Sequence, residues 1–411
     1  MTRRVVVTGI GVVTPIGIGK ENFWQSALAG KSGIDRVHAF NPDGHASQIA
    51  GEVLNFDPNE WISVKAQKRM ARFSQFAVAA AKMALSDSGL ELGKLDAFRV
   101  GVSLGVAAGD YEDSTFSAVN YRDRGPGHSR PFAIPKAIVN MAASAVALEL
   151  GITGVNIDVT TACASGSHAL GLALDLIRSG RADVIFSGGA EATINPVVMD
   201  GYDAMKALSR RNSEPTKASR PFDRDRDGFV IGEGSGILLL EEFESARKRG
   251  ARIYAEFAGF GATCDAYHIV APHPEGAGAK NAILAAIRDS GAKINEVDYI
   301  NAHGTSTPAN DAAETLAIKG ALNEHAHSVM ISSLKSMTGH TFGAAGGIEA
   351  TATVLSITTG KIHPTINLDN PDPQCDLDYV PNTAREKKVR FALSNSFGFG
   401  GQNAVLAFRA V

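Results

Sequence analysis

Short, near-continuous runs of Val and Ile punctuate the chain at Arg4 to Thr8, Arg99 to Leu104, Val155 to Val159 and Asp183 to Phe186. Strands covered on both faces read this way, because neither face has to be polar. Between them, Ser74 to Asp87, Ala164 to Arg178 and Lys280 to Asp289 place Ala and Leu at helical spacing. The first two run into Ser-Gly, a common helix stop. Strand and helix alternate, which predicts an α/β fold. The opening RVVVTGIG has a counterpart in RIYAEFAGFG from Arg252 to Gly261, each ending in Gly-x-Gly, and this points to an internal duplication. The boundary falls after the amphipathic, basic-ended stretch Glu241 to Gly250, giving halves 1–250 and 251–411. No Pro- or Ser-rich linker separates them, so they are expected to pack as one unit.

Composition narrows the function classes. With 411 residues, 44% hydrophobic and 20% charged, the chain can bury a sizeable core and is not a disordered polymer. A net charge of -3 gives no chain-wide attraction to a phosphate backbone, so nucleic acid is not an expected partner. Three cysteines make no disulfide framework and suit a reducing compartment such as the cytoplasm. The N-terminus imitates a secretion signal, with Arg3 and Arg4 before an apolar run. Gly9, Gly11, Pro15 and Gly17 would break its helix, however, and Lys20 and Glu21 intrude. Even the greasy stretch Met141 to Val155 carries Glu149 and two glycines, so no membrane span is expected.

Three familiar patterns fail on spacing. Gly9-x-Gly11 lacks the third glycine of a dinucleotide loop, since Thr14 stands in its place. In DRDRDGFVIGEG, Asp223, Asp225, Asp227 and Gly228 occupy calcium-loop positions, but the twelfth is Gly234 and the acid comes one early, at Glu233. No Cys pair or His-Glu-x-x-His spacing offers a zinc site. A structural metal is not expected.

Chemistry enters with NIDVTTACASGSHALGLALDLIRSG, where Cys163 falls between the end of a buried strand and the start of a long Ala/Leu helix. Unpaired N–H groups and the positive end of the helix dipole favour a thiolate there, and small Ala162, Ala164 and Gly166 allow close approach. An inert buried cysteine fits the same segment equally well. Two further segments bear on the choice. NAHGTSTP, Asn301 to Pro308, follows the apolar VDYI and sets His303 among hydroxyls and glycine on a turn. KSMTGH, Lys335 to His340, follows VMISSL and leads into the small-residue stretch FGAAGG. Histidines on strand-end loops are better candidates for chemistry than histidines on a helix face. A helix-capping thiol and two imidazoles are the set needed to break and form acyl bonds.

The motifs VTTACASG, NAHGTSTP, KSMTGHTFGAAG and NSFGFGG, in this order and spanning nearly the whole chain, resemble those of the β-ketoacyl-acyl carrier protein synthases. These are the elongating condensing enzymes of bacterial and organellar fatty acid synthesis, and the second class, which extends longer chains, is most similar. The resemblance implies a thiolase-like fold of two β-α-β-α-β-α-β halves in five layers, α-β-α-β-α, forming a homodimer. The first half would carry the nucleophile and dimer contacts, the second both histidines. Cys163 would take an acyl chain as a thioester, the backbone N–H groups of Cys163 and Phe399 would bind the oxyanion, and the Phe399 ring would gate entry. His303 and His340 would donate to the enolate left when malonyl-carrier protein loses carbon dioxide, with Lys335 and Glu349 orienting the site. Thr305 and Thr307 match positions that contact the phosphopantetheine arm carrying the substrates. Lys65, Lys68 and Arg69 match a segment that docks acidic acyl carrier protein. With Arg72 they recur at i, i+3, i+4 and i+7, one face of a helix. No metal or redox cofactor is implied, and the cytoplasm or an organellar stroma or matrix is the expected compartment.

The chain departs from the pattern in three places. Ala108 stands where second-class members commonly have Ile, which implies a roomier acyl pocket unless Tyr202 or Met205 refills it. His268-Ile269-Val270-Ala271 lacks the hydroxyls often found in a pantetheine-contacting segment, and GFGG runs into Gln402-Asn403 rather than Thr-Asn. These bear on chain preference, not chemistry. A thiolase would need a second late cysteine at the site, and Cys375 sits instead in the polar NPDPQCDLD. A non-catalytic chain-length partner normally lacks the nucleophile. Condensing enzymes of type II polyketide or polyene synthesis, and the first-class synthase, share Cys-His-His and stay open as alternatives.

Overall fold

The computed structural model describes residues 3–411. The first half contains β1 (Val5–Thr14), α1 (Arg72–Ser88), β2 (Val100–Gly105), α2 (Met141–Leu150), β3 (Asn156–Val159), α3 (Ser165–Arg178), β4 (Val184–Glu191) and β5 (Gly234–Glu242). The second repeats the order with β6 (Ala255–Cys264), α4 (Ala277–Asp289), β7 (Tyr299–Asn301), α5 (Pro308–Leu322), β8 (Met330–Ser332), α6 (Ala345–Thr359), β9 (Phe391–Gly398) and β10 (Gln402–Arg409). A fifth strand, returning antiparallel, extends the pattern read from the sequence in each half: β5 pairs with β4, and β10 with β9.

Strand order across the sheet is β8-β7-β9-β10-β6-β1-β5-β4-β2-β3, a palindrome of topology about the β6–β1 pair. That central pair is antiparallel, with Val6 opposite Glu256 and Val7 opposite Ala255, so the two segments recognised as a repeat lie side by side. The apolar N-terminal run is buried along the whole of β1. Its glycines serve packing rather than a nucleotide. A Cβ on Gly9 or Gly11 would stand 2.2 or 1.8 Å from the carbonyl oxygens of Ala84 and Ala80 in α1. Gly259 and Gly261 of β6 meet Ala286 and Ala282 of α4 in the same way, at 2.6 and 2.1 Å. The Gly-x-Gly repeat therefore records a helix backbone pressed onto a strand, once per half.

Helices α1 and α2 cover the outer side of the first-half strands, α4 and α5 that of the second, and α3 and α6 lie between, each touching strands of both halves. The result is five layers, α-β-α-β-α, with one apolar core under each outer layer and a third around the central helices. The calcium-like run is knitted into this body instead of wrapping an ion. Asp223 accepts from the N–H groups of Asp225, Asp369 and Asn370 and pairs with Arg220. Among the described residues no helix is long and apolar enough to cross a membrane.

One expected element is corrected. Lys65, Lys68, Arg69 and Arg72 do not share a helical face, because the helix Val64–Gln67 ends with Lys68 as its C-cap and Ala71 is extended before α1 begins. Arg72 is also committed: its guanidinium forms a fork on Glu233, at 2.9 and 2.7 Å, and donates to the Val53 carbonyl.

Candidate active site

The chemistry-bearing residues gather at the carboxyl ends of strands from both halves, where open α/β sheets place their ligands. After β3 the chain turns through Ala162, held at φ +50°, and delivers Cys163 just ahead of α3. A non-glycine residue in this left-handed region costs about 1 kcal/mol or more, so something must hold it. Ser165 does: its hydroxyl donates to the Ala162 carbonyl at 2.6 Å and accepts the Thr161 N–H at 2.8 Å. Against this elbow lies the GFGG loop. A Cβ on Gly398 would stand 2.9 Å from the Thr161 carbonyl and 3.1 Å from the Cys163 nitrogen, so only glycine lets the two backbones approach.

His303 follows β7 and His340 lies beyond β8. Their rings stand 5.3 Å apart, edge to face, and both are buried. The His303 loop is fixed by Glu314 of α5, whose two carboxylate oxygens accept the N–H groups of His303 and Gly304 at 2.8 Å each. Asn395 of β9 donates to the same carboxylate. His340 donates its own N–H to the Val230 carbonyl at 2.7 Å, and its Nδ1 accepts weakly from the Phe342 N–H, which places the ring proton on Nε2.

A cavity of about 380 Å³ joins Cys163, His303, His340, Thr305, Thr307 and Phe399. Thr307 both lines it and caps α5, accepting the Asn310 N–H, with its hydroxyl 2.9 Å from that of Thr305. A second cavity of about 480 Å³, mostly apolar, reaches Cys163 from the other side past Ala107, Ala108, Tyr202, Met205 and Phe342. Phe399 and Val270 border both. Tyr202 stacks on Phe342 with ring centroids 5.4 Å apart, so the space beside Ala108 is bounded by aromatic rings. The sulfur thus sits on a wall shared by two chambers, one holding the imidazoles and threonine hydroxyls and the other bounded by apolar side chains.

Lys335 and Glu349 line neither chamber. They form a buried ion pair just beneath the histidines, each about 2% exposed. Asn301 Oδ1, Asn395 Oδ1 and the second Glu349 oxygen are buried and find no donor among the described residues. Burial, together with the positive charge of Lys335, holds both imidazoles well below their usual range, so each is neutral and has one N–H to donate. Burial pushes Glu349 up to about 7 even with Lys335 beside it.

The thiol corrects a sequence expectation. Burial pushes Cys163 up to about 11, outweighing Lys335 and the N–H groups of Phe399 and Cys163, which pull the other way. The resting group is therefore a thiol rather than a thiolate, because desolvation exceeds what the helix terminus supplies. Those same N–H groups can stabilise negative charge once it forms. Lys65, Lys68 and Arg69 lie apart from both chambers, exposed and without ion pairs among the described residues. Cys375 is buried in the second-half core, away from the site.

Sequence reading missed Glu314. The available signal was an acid on the stripe Asp311, Glu314, Thr315 and Ile318, at helical spacing on the buried face of α5.

Comparison with known proteins bears on the same residues. The chain matches the family description "Beta-ketoacyl synthase, N-terminal domain" over residues 2–246 and "Beta-ketoacyl synthase, C-terminal domain" over residues 254–369. It is 51% identical over 407 residues to the 3-oxoacyl-acyl-carrier-protein synthase 2 of Synechocystis sp., covering 99% of this chain and 98% of that one. Its structure is similar to the ishigamide ketosynthase/chain length factor, at TM-score 0.94 and 39% identity with both chains fully covered. It is also similar in fold, at TM-score 0.92 and 38% identity over the whole of both chains, to a type II PKS ketosynthase solved in complex with its acyl-carrier protein. A nucleophile elbow, paired neutral imidazoles and likeness at this level along the entire length carry one conclusion: the chain belongs to the β-ketoacyl synthase family of condensing enzymes.

Proposed function

We propose that this protein extends acyl chains held on acyl carrier protein by two carbons, using malonyl-carrier protein as the donor. One observation carries the reading: Cys163 borders both a chamber that holds two neutral imidazoles and the Thr305 and Thr307 hydroxyls and a second, apolar chamber with room for a chain. In the first half-reaction the sulfur attacks the thioester carbonyl of the acyl donor. The N–H groups of Cys163 and Phe399 take the oxyanion, and the thiol proton leaves with the departing pantetheine sulfur. In the second, malonyl-carrier protein loses carbon dioxide while His303 and His340 donate N–H bonds to the enolate oxygen. The carbanion then attacks the acyl-Cys163 carbonyl and expels the sulfur, which recovers a proton. Thr305 and Thr307 are assigned to the pantetheine arm, and Lys335 and Glu349 to setting the charge and orientation of the site. Neither step calls on a metal or redox cofactor.

Elongation with purified carrier proteins bearing acyl groups of graded length, read by mass spectrometry, tests this directly. Products two carbons longer are expected across saturated fatty donors. Refusal of every such donor would move the reading to type II polyketide synthesis, which the small wall residue Ala108 and the ketosynthase relatives favour as the second possibility.

Lys65, Lys68 and Arg69 are assigned to docking the acidic carrier. Reversing Lys65 and Lys68 to Glu is expected to raise KM for carrier-bound substrate by about tenfold, with kcat less affected, because exposed charges act mainly on encounter. Steady-state kinetics check this, and an unchanged KM in a folded protein removes the patch. A second copy of the chain is assigned to the apolar face made by Phe132, Ile134, Ile138 and Leu148, the last two-thirds or more exposed along with Ile134. That face adjoins the segment bearing Tyr111, which lines the apolar chamber. The halves 1–250 and 251–411 are read as two copies of one ancestral unit, the first supplying the nucleophile and the second the imidazoles.

A further inference from the structure

Glu191, the last residue of β4, is fully buried and takes no part in the chemistry described above. Its Oε2 accepts the N–H of Ala107 at 2.8 Å and the N–H of Gly343 at 3.2 Å. Its other oxygen has no partner among the described residues. The two donors come from opposite halves of the molecule. Ala107 follows β2 and precedes Ala108, whereas Gly343 follows Phe342 in the turn that carries His340. Ala107, Ala108 and Phe342 all line the apolar chamber around Cys163. The two segments are in contact, since a Cβ on Gly343 would stand 2.5 Å from the Ala107 nitrogen and 2.8 Å from Glu191 Oε2.

A carboxylate is a costly bridge in such a place, because burial penalises its charge. Burial pushes Glu191 up to about 7, opposed by the N–H groups of Ala107, Gly343, Ala108 and Gly109 that converge on it. Asp158 of β3 lies nearby with neither oxygen partnered, and burial and the Glu191 charge push it up to about 8. The two acids act on each other's charge, and Glu191 Oε2 is the atom that accepts both wall N–H groups.

We propose that Glu191 is a positioning residue for the acyl chain, its carboxylate holding the Ala107–Ala108 wall of the first half at a fixed separation from the Phe342–Gly343 wall of the second. The proposal rests on the reading of the apolar chamber as the acyl site. A long chain contacts both walls over its length, whereas a short one touches only the region next to the sulfur. Loosening the clamp is therefore a length-dependent defect, not a uniform one.

The test is single-turnover acylation of the full-length protein by hexanoyl- and tetradecanoyl-carrier protein, followed by intact mass. Wild type must first take up both groups; failure there is failure of the functional reading and not of the clamp. Glu191→Gln keeps the shape and removes the charge, and Glu191→Asp keeps the charge and shortens the reach. Both are expected to acylate about tenfold more slowly with the tetradecanoyl donor and at the wild-type rate with the hexanoyl donor, since hydrogen bonds to a charged acceptor are the stronger kind. Asp158→Asn, a change at an acid whose oxygens hold neither wall, is expected to leave both rates unchanged. If Glu191→Gln does not fold, Glu191→Asp carries the comparison. Equal slowing with both donors, or wild-type rates with both in the folded variants, overturns the clamp.

Discussion

Cys163→Ala is expected to abolish acyl transfer while leaving malonyl-carrier protein decarboxylation measurable. In the proposed scheme the sulfur is the only atom of the site that becomes bonded to substrate, so its loss removes the covalent route rather than slowing it. Removal of a nucleophile of this kind lowers turnover by about 10⁴-fold or more. The fold should survive. Cys163 already borders open space, and deleting one sulfur there costs about 1 kcal/mol, well below the typical stability of a domain. In the same scheme decarboxylation depends instead on the N–H groups of His303 and His340, which stand on separate strand ends and keep their anchors to Glu314 and Val230. Intact mass after incubation with an acyl donor should show an adduct on wild type and none on the variant, with carbon dioxide still released. An alanine variant that elongates at the wild-type rate would end the covalent scheme.

What the sequence revealed, and what it hid, divides by distance along the chain. Cys163, His303, His340 and Phe399 were legible because each sits inside a local motif whose turn chemistry and small neighbours lie within a few residues. The duplication was legible because each Gly-x-Gly answers to a helix packed on its own strand. Arg72 was misread because its partner Glu233 lies 161 positions away, and no local pattern shows that the guanidinium is already engaged. Glu191 was invisible for the same reason, since its donors lie 84 and 152 positions away. The protonation of Cys163 failed differently. Its position before a helix was read correctly, but the side chains that bury the sulfur, among them Met199, Phe229 and Phe342, lie far from it along the chain, and burial wins over the helix terminus. The docking helix failed on one backbone detail, the extended Ala71, which splits a charge pattern that looks continuous.

Lys335→Ala should be the most damaging single change to stability, and its effect should depend on pH in a definite direction. Breaking a buried ion pair by removing one partner costs about 3–5 kcal/mol, because the other charge stays behind in a low-dielectric interior. Here that charge is Glu349, pushed up to about 7 even with Lys335 present and bound to go higher without it. A carboxyl whose folded value is raised above its unfolded one favours the fold at low pH and loses that contribution as the pH rises toward the folded value. The deficit in Tm relative to wild type should therefore be nearly constant below about pH 7, where both folded forms hold the proton, and grow as the pH rises above it. Lys335→Met combined with Glu349→Gln, which removes both charges, should flatten the curve. Activity adds a second readout. The Lys335 charge helps hold both imidazoles neutral and pulls the Cys163 thiol down. Without it the imidazoles titrate closer to their usual range, so the acid limb of the decarboxylation profile should move to higher pH while acylation slows. A Tm deficit that does not change with pH, together with an unmoved acid limb, would mean that Lys335 acts through packing alone and that its charge does not govern the site.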